Sequence, residues 1–325
     1  MIFNGGRLGH LLNRLQKPTK REVCMSINVD CVVHAQNLVG ESAVWCDQTN
    51  QLWWVDIAGR KIQRFDPVTS CIVSRPLADF PTSIGLCANG GFVLGLRHDV
   101  VLWNGEDGFQ WLATPEPALP DNRLNEGGVG PDGCFWVGTM QDNLADDGSL
   151  VPMSSNTGSI YRVSATGEVV RQTGDVYGIT NTFAWLGGTS SSRLITADTL
   201  VNTLYEYRYE HDQGLVGERQ LFAGPFDRGL PDGSCVDESG YIWNCRVAGG
   251  GCLVRYHPDG SIDRVIELPC SWPTSCTFGG RDLKTLYVTS ARIGLDAAAV
   301  KANPLEGGLF ALQPGPSGRP ANRFG

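Results

Sequence analysis

Two kinds of partner are disfavoured by what the chain lacks. No apolar run in its 325 residues approaches the roughly 18 residues that a membrane-spanning helix needs. Lys and Arg number 26 against 34 Asp and Glu, so the formal net charge is −8, and a basic face for binding phosphates is not expected. We therefore expect neither a membrane nor a nucleic acid as partner.

Cysteine pairing motifs are also missing. The chain has 11 cysteines, an odd number, and no Cys-x-x-Cys spacing. Several lie in apolar runs such as "CIVS" and "PTSCTF", where a free thiol packs as a small hydrophobic group. These features predict reduced thiols in a cytoplasmic protein rather than a disulfide framework.

Helical periodicity is scarce, and short β-rich runs recur instead between Gly, Pro, Asn and Asp. Six runs are similar: "QLWWVD" (51–56), "GFVLGL" (91–96), "CFWVGT" (134–139), "RLITAD" (193–198), "YIWNCR" (241–246) and "TLYVTS" (285–290). Their third residues are 40, 43, 59, 48 and 44 positions apart. A four-stranded unit repeated about every 40–50 residues is typical of a β-propeller. We predict an all-β, six-bladed propeller with Trp53, Trp54, Trp136 and Trp243 in the blade core.

The ends of the chain suggest how the ring closes. The last blade lacks a fourth strand after "GGLFALQPG". An extra strand, "DCVVHAQ" (30–36), precedes the first blade and can supply this missing outer strand. We therefore expect an N-terminal extension over 1–28, the propeller over 29–315 and a C-terminal tail over 316–325. The basic extension is interpreted as a loose segment, with a targeting or interface arm as the alternative. A β-sandwich with a second domain would need a linker, which the sequence does not show.

One polar position recurs in the strand before each of the six runs. The residues at this position are Glu41, Thr82, Asn125, Asn181, Asp232 and Thr274. Equivalent positions of six blades surround the central channel, so these side chains should converge at one mouth of it. They offer only oxygen donors, which favour hard cations such as Ca²⁺ or Mg²⁺ over Zn²⁺. A cation would also relieve the repulsion between the two carboxylates.

The triplet Pro-Asp-Gly occurs three times, and its place in the repeat differs. Two copies, around Asp132 and Asp259, fall between consecutive strands of a blade and predict hairpin turns. The third copy, around Asp232, stands at the entry to an innermost strand, at the mouth of the channel. Only Asp232 is therefore expected to do chemistry.

From about residue 34 to 312 the chain resembles the SMP-30/gluconolactonase/luciferin-regenerating (regucalcin-like) family. The resemblance is carried by "GESAVW" (40–45), "NRLNEGGVGPDGCFWVGTM" (122–140), "ITNTFAW" (179–185), "GLPDGSCVD" (229–237) and "PTSCTFGGRDLKTLYVTSA" (273–291). It implies a six-bladed propeller with one divalent metal in the channel, Ca²⁺ in first place and Zn²⁺, Mg²⁺, Mn²⁺ or Fe²⁺ as alternatives. It also implies a small-molecule partner, since many members hydrolyse lactones of sugar acids.

The resemblance assigns roles to individual residues. The family's metal ligands fall on Glu41, Asn181 and Asp232, and Asp232 also falls on the proposed general base. Its substrate contacts fall on Arg123 and Asn125, and we add the adjacent Glu126. With an open metal to polarise the lactone carbonyl and activate water, this set predicts a gluconolactonase-like hydrolase.

Two other functions and three departures from the family pattern stay open. The alternatives are a phosphoester or organophosphate hydrolase on the same scaffold, and a non-catalytic calcium-binding or regulatory propeller. A Ser-His hydrolase is not favoured, because the chain has no Gly-x-Ser-x-Gly motif. Glu126 stands where the family has Asp, Thr182 stands where it has Gly, and Gln141-Asp142 stand where an acidic pair is common. These departures bear on which sugar is bound.

Overall fold

The structure is a computed structural model that describes residues 27–106, 108–187, 192–211 and 213–325. The expected N-terminal extension over 1–28 lies outside the described residues except for its last two. In the part of the chain that is described, no helix is long and apolar enough to cross a membrane.

Six small antiparallel sheets form the blades of a β-propeller, which confirms the predicted fold. The first three blades consist of β2 (Gly40–Cys46), β3 (Gln51–Asp56), β4 (Lys61–Asp66) and β5 (Cys71–Pro76); β6 (Ser83–Cys87), β7 (Phe92–Gly95), β8 (Val100–Trp103) and β9 (Gln110–Ala113); and β10 (Asn122–Val129), β11 (Phe135–Gln141), β12 (Ile160–Val163) and β13 (Val169–Arg171). The fourth and fifth consist of β14 (Thr180–Gly187), β15 (Ser192–Asp198), β16 (Thr203–Glu210) and β17 (Gly214–Ala223); and β18 (Leu230–Val236), β19 (Ile242–Val247), β20 (Cys252–Tyr256) and β21 (Ile262–Glu267). The six similar runs of the sequence are the second strands of the six blades.

The sixth blade joins the two ends of the propeller. It consists of β22 (Pro273–Gly279), β23 (Thr285–Ser290), β24 (Leu309–Leu312) and β1 (Val29–Val33). β1 pairs antiparallel with β24, with Val29 opposite Leu312. The N-terminal strand therefore closes the ring as the outer strand of blade six, as expected. A short helix, α1 (Ala297–Ala302), lies between β23 and β24 and is capped by the Asp296 side chain.

Aromatic side chains fill the space between neighbouring blades. Trp54, Trp136 and Trp243 are fully buried, which confirms that they belong to the core. Trp53 is half-buried, and its ring lies 4.5 Å from that of Phe92 in the next blade. Burial of such large rings makes the contacts between blades a major source of stability.

The C-terminal segment over 316–325, which we call the C-terminal strap, pairs with the propeller. Its last residues form β25 (Arg323–Phe324), which pairs in parallel with β6 on the channel side of blade two. Before that, Ser317 accepts a hydrogen bond from the backbone of Glu238 in blade five. The strap therefore runs from blade five to blade two across one end of the channel.

Candidate metal centre and active site

Local irregularities of the innermost strands aim the six recurring polar residues. In five blades the pairing register between the first and second strands shifts at or beside the polar residue; the shifts lie at Glu41/Val44, Leu124/Gly127, Asn181/Ala184, Pro231/Ser234 and Pro273/Cys276. Thr82 directly precedes β6, where the pairing is regular. A β-bulge changes the direction in which the side chains beside it point. All six polar residues are buried.

Five of the six residues line one cavity of about 100 Å³, which we call the upper cavity. Its polar lining comprises Glu41, Arg123, Asn125, Asn143, Asn181, Thr199, Asp232 and Thr274. Its remaining lining is apolar and includes Ile57, Leu144 and Ile293. Thr82 is the exception, since it is not part of this lining. The structure thus brings together all the predicted metal ligands and two of the three predicted substrate contacts.

A chain of hydrogen bonds links three blades within the lining of this cavity. Arg123 donates to the Oδ1 of Asn125 (2.8 Å), and the Nδ2 of Asn125 donates to the Oδ1 of Asn181 (3.1 Å). Asn181 donates through Nδ2 to Thr199 (2.8 Å), and Thr199 donates to the carbonyl oxygen of Pro231 (2.8 Å). Because its nitrogen is committed to Thr199, the Asn181 amide has a defined orientation in which Oδ1 remains an acceptor.

The sequence reasoning missed Asn143. This buried side chain accepts two hydrogen bonds from Arg123, from Nε at 3.2 Å and from the terminal nitrogen Nη2 at 2.9 Å. The neighbouring Asp142 binds Arg97 and lies 3.7 Å from Arg123. Gln141 instead accepts hydrogen bonds from the backbone of Ser154 and does not enter the cavity lining. No sequence signal for Asn143 was available beyond its closeness to the "GTM" segment.

The electrostatics of the cavity are dominated by buried acids. Burial raises the pKa of Glu41 well above its ordinary value, and the negative charge of Asp232 adds to this shift. Burial likewise raises the pKa of Asp232 well above its ordinary value, with the charge of Glu126 as the second cause. Burial lowers the pKa of Arg123 to about 10. Negative charge on both acids is therefore unfavourable unless a cation is present.

The donor set fits a hard divalent cation. Glu41, Asn181 and Asp232 offer carboxylate and amide oxygens, the ligand types that Ca²⁺ and Mg²⁺ take. The set contains only two ionisable side chains. Within the described ranges, no group of three or more His, Cys, Asp or Glu side chains is placed to hold a metal. A metal at this site would thus keep several coordination positions for water or substrate.

Glu126 is not brought together with Arg123 and Asn125. It lines a second cavity of about 350 Å³, which we call the lower cavity, further along the same innermost strands. The pairing of β10 shifts between Leu124 and Gly127, and at this bulge Asn125 lines the upper cavity while Glu126 lines the lower one. Its Oε2 atom is buried and has no hydrogen-bond partner among the described residues.

Backbone conformation explains the unusual position of Thr182. This residue has φ of 60°, in the left-handed region that glycine adopts freely and a β-branched residue rarely does. Ser42, which follows Glu41 in the same way, has φ of 52°. The Thr182 hydroxyl donates to the carbonyl oxygen of Asp232 and contacts the Ser234 hydroxyl at 2.9 Å. These buried hydrogen bonds offset the strain and tie blade four to the strand that carries Asp232.

Fold and site together define a six-bladed propeller with an oxygen-donor centre in its channel. Residues 39–292 match the family described as SMP-30/Gluconolactonase/LRE-like region. The chain belongs to this family.

Individual relatives agree with this assignment. The chain is 34% identical over 294 residues to a 6-deoxy-6-sulfogluconolactonase of Pseudomonas putida, covering 89% of this chain and 96% of that one. It is 32% identical over 290 residues to regucalcin of Xenopus laevis, covering 88% and 94%. Among solved structures, a calcium-binding regucalcin of Agrobacterium tumefaciens superposes with a TM-score of 0.83 at 27% identity, covering 92% of this chain and 98% of that one.

Proposed function

We propose that the protein is a divalent-metal-dependent hydrolase that opens lactones of sugar acids. The observation that carries this proposal is the upper cavity, where Glu41, Asn181 and Asp232 share one small buried space with Arg123 and Asn125. The relative from Pseudomonas putida supports the reaction class, because its name states a sulfogluconolactonase. Cytoplasmic residence is part of the proposal and is supported by the ten described cysteines, all free thiols.

Glu41, Asn181 and Asp232 would hold the metal, with Ca²⁺ as the first candidate and Zn²⁺, Mg²⁺, Mn²⁺ or Fe²⁺ as alternatives. The oxygen-only donor set supports a hard ion, and the neighbour from Agrobacterium tumefaciens is described as calcium-binding. When bound, such an ion supplies a Lewis acid for the lactone carbonyl and lowers the pKa of water.

Asp232 is the proposed general base. Its carboxylate lines the upper cavity beside the other proposed metal ligands, where it can accept the proton of the attacking water. Its main chain is held from two sides, since Thr182 and Asn244 both donate to its carbonyl oxygen. This support fixes the direction in which the side chain enters the cavity.

Arg123 is proposed to donate a hydrogen bond to the substrate. Its guanidinium has five N–H groups, and four of them are used by the Leu124 carbonyl, Asn125 and Asn143. The fifth is left for the lactone or a sugar hydroxyl. Because the partners hold the group in place beforehand, little orientational freedom is lost when substrate binds.

Asn125 is proposed to contact the substrate as an acceptor. Its amide nitrogen donates to the Thr180 carbonyl (2.9 Å) and to Asn181 (3.1 Å), so both of its hydrogens are committed. Its Oδ1 accepts from Arg123 and keeps one lone pair for a sugar hydroxyl. The substrate set therefore consists of Arg123 and Asn125; Glu126 faces the lower cavity and is left out.

The test combines metals and substrates. Metal-stripped protein is refilled with each candidate ion, and acid release from a panel of aldonolactones is measured. We expect Asp232→Ala to stay folded and to lose bound metal and lactonase activity together. The matched control is Asp259→Ala, which changes the same triplet in an exposed turn and should leave both properties intact.

Three results would count against the proposal. Lactone opening by Asp232→Ala at the wild-type rate would remove Asp232 from the mechanism. Metal binding without acid release from any lactone would favour the non-catalytic calcium-binding alternative, which the name of the Agrobacterium tumefaciens neighbour also supports. Release of phosphate from phosphoesters under the same conditions would favour the phosphoesterase alternative.

A further inference from the structure

The lower cavity contains chemistry that the proposed reaction does not use. The hydroxyls of Ser42, Ser234 and Ser275 line it, as do the thiols of Cys235 and Cys276. Residues Arg319 to Asn322 of the C-terminal strap form part of its wall. The cavity leads to this pair of residues from the end of the channel opposite the candidate metal centre; Cys235 is partly exposed there and Cys276 is buried behind it.

Cys235 and Cys276 are neighbours across two blades. Cys235 lies in β18 of blade five and Cys276 in β22 of blade six, and their Sγ atoms are 3.5 Å apart. A disulfide bond is about 2.05 Å long, so the sulfur atoms need to approach by only about 1.5 Å. The two innermost strands are already in direct contact, because a Cβ on Gly233 would lie 2.9 Å from the Cα of Ser275.

A third thiol, that of Cys245, lies close to this pair. Although burial opposes ionisation of Cys276, its hydrogen-bonding contacts with the thiols of Cys235 and Cys245 lower its pKa. Burial raises the pKa values of Cys235 and Cys245 well above the ordinary value. Cys245 is fully buried and does not line the cavity, so Cys235 is the better-placed second thiol.

We propose that Cys235 and Cys276 form a peroxide-sensitive pair that closes to a disulfide between blades five and six. The Cys276 thiolate attacks hydrogen peroxide, which is reduced to water while the sulfur becomes a sulfenic acid. The Cys235 thiol then attacks that sulfur, and a second water leaves as the S–S bond forms. In sum, two thiols and one peroxide give one disulfide and two waters. The cross-link joins the strand that carries Asp232 to the innermost strand of blade six.

The test uses the full-length reduced protein. It is treated with one equivalent of hydrogen peroxide without denaturant, its free thiols are alkylated, and the digest is analysed by mass spectrometry. We expect a peptide pair joined through Cys235 and Cys276, the loss of two free thiols and full reversal by dithiothreitol. The oxidised protein should also melt a few degrees higher than the reduced protein, because the bond restricts the unfolded chain.

Variants separate this pair from general oxidation. Cys235→Ser and Cys276→Ser should each abolish the cross-link, whereas Cys134→Ser, at a buried cysteine in another blade interface, should leave it unchanged. The proposal is wrong if wild-type protein keeps all its thiols, if Cys276 proceeds to sulfinic acid without a cross-link, or if the bond forms to Cys245. The wild-type digest decides these outcomes even where a variant does not fold.

Discussion

Removing the metal should make the stability of the protein depend on pH through Glu41 and Asp232, the two acids of the upper cavity. Burial raises the pKa values of Glu41 and Asp232 above those of the unfolded chain. Between the unfolded and folded pKa values, the folded protein therefore holds more protons than the unfolded chain. Metal-free protein should be most stable at acid pH and should lose this contribution as pH rises towards the folded pKa.

The size of the effect follows from proton counting. One extra proton held by the folded state lowers the free energy of unfolding by about 1.4 kcal/mol for each pH unit crossed. The negative charges of Glu41 and Asp232 repel each other. In the metal-free folded protein the pair therefore keeps at least one proton at a pH where the unfolded carboxyl groups have already lost theirs. Bound metal reverses the preference, because a cation favours both charged carboxylates. Metal-loaded protein should therefore show no such decline.

Urea unfolding between pH 5 and 8 provides the assay, with chelator or with saturating metal. The reference is the double variant Glu41→Gln and Asp232→Asn, whose amides are similar in size and do not titrate. Subtracting its curve cancels all other groups that titrate alike in both proteins. Parallel curves for wild type and double variant in chelator would refute the reasoning, since the two acids would then contribute nothing.

Three further changes test separate parts of the structure. Asn143→Ala leaves two N–H groups of Arg123 without their buried partner. KM for the best lactone should therefore rise about ten-fold, while metal affinity, measured by calorimetry, stays unchanged. An unchanged KM would show that Arg123 needs no such support. Thr182→Val keeps the strained left-handed backbone and loses the hydroxyl, so it should lower the free energy of unfolding in urea by about 1–3 kcal/mol. Thr182→Gly should lower it by less, because glycine adopts this backbone conformation freely. The reverse order would contradict the account of strain. Phe324→Ala should lower the free energy of unfolding by about 3 kcal/mol, because this ring of the strap is buried. Phe324→Leu should lower it by less. No change in either variant would mean that the strap adds no stability.

The fold could be predicted from the sequence because the same strand pattern repeats in every blade. Each second strand of a blade is buried on both faces, so runs such as "QLWWVD" and "YIWNCR" keep a recognisable apolar pattern. The strap has no such pattern. Its Gly, Pro and Ser residues resemble a loose tail, and its order comes from pairing with β6 and from the burial of Phe324. Contacts of this kind depend on a surface that local sequence does not describe.

The candidate site was predictable where a residue belongs to the repeat and unpredictable where it does not. Glu41, Asn181 and Asp232 share a position in their blades, so convergence in the channel followed from the architecture. Asn143 comes from a connection outside the repeat, and it reaches Arg123 only because the chain returns over the channel mouth after β11. Glu126 follows the recurring position by one residue, within the bulge of β10, and it lines the lower cavity instead.

The three Pro-Asp-Gly triplets show how tertiary pairing overrides a local preference. Around Asp132 and Asp259 the triplet forms turns, and each aspartate accepts hydrogen bonds from the backbone two residues ahead. Around Asp232 it forms no turn: the triplet lies inside β18, at the shift in pairing with β19. Gly133 and Gly260 have positive φ, whereas Gly233 is needed because the backbone of Ser275 leaves no room for a side chain. The same three residues therefore form a bulge here instead of a turn, and the bulge directs Asp232 into the channel. The pairing with β19 and the close contact with the neighbouring strand of blade six determine this backbone conformation.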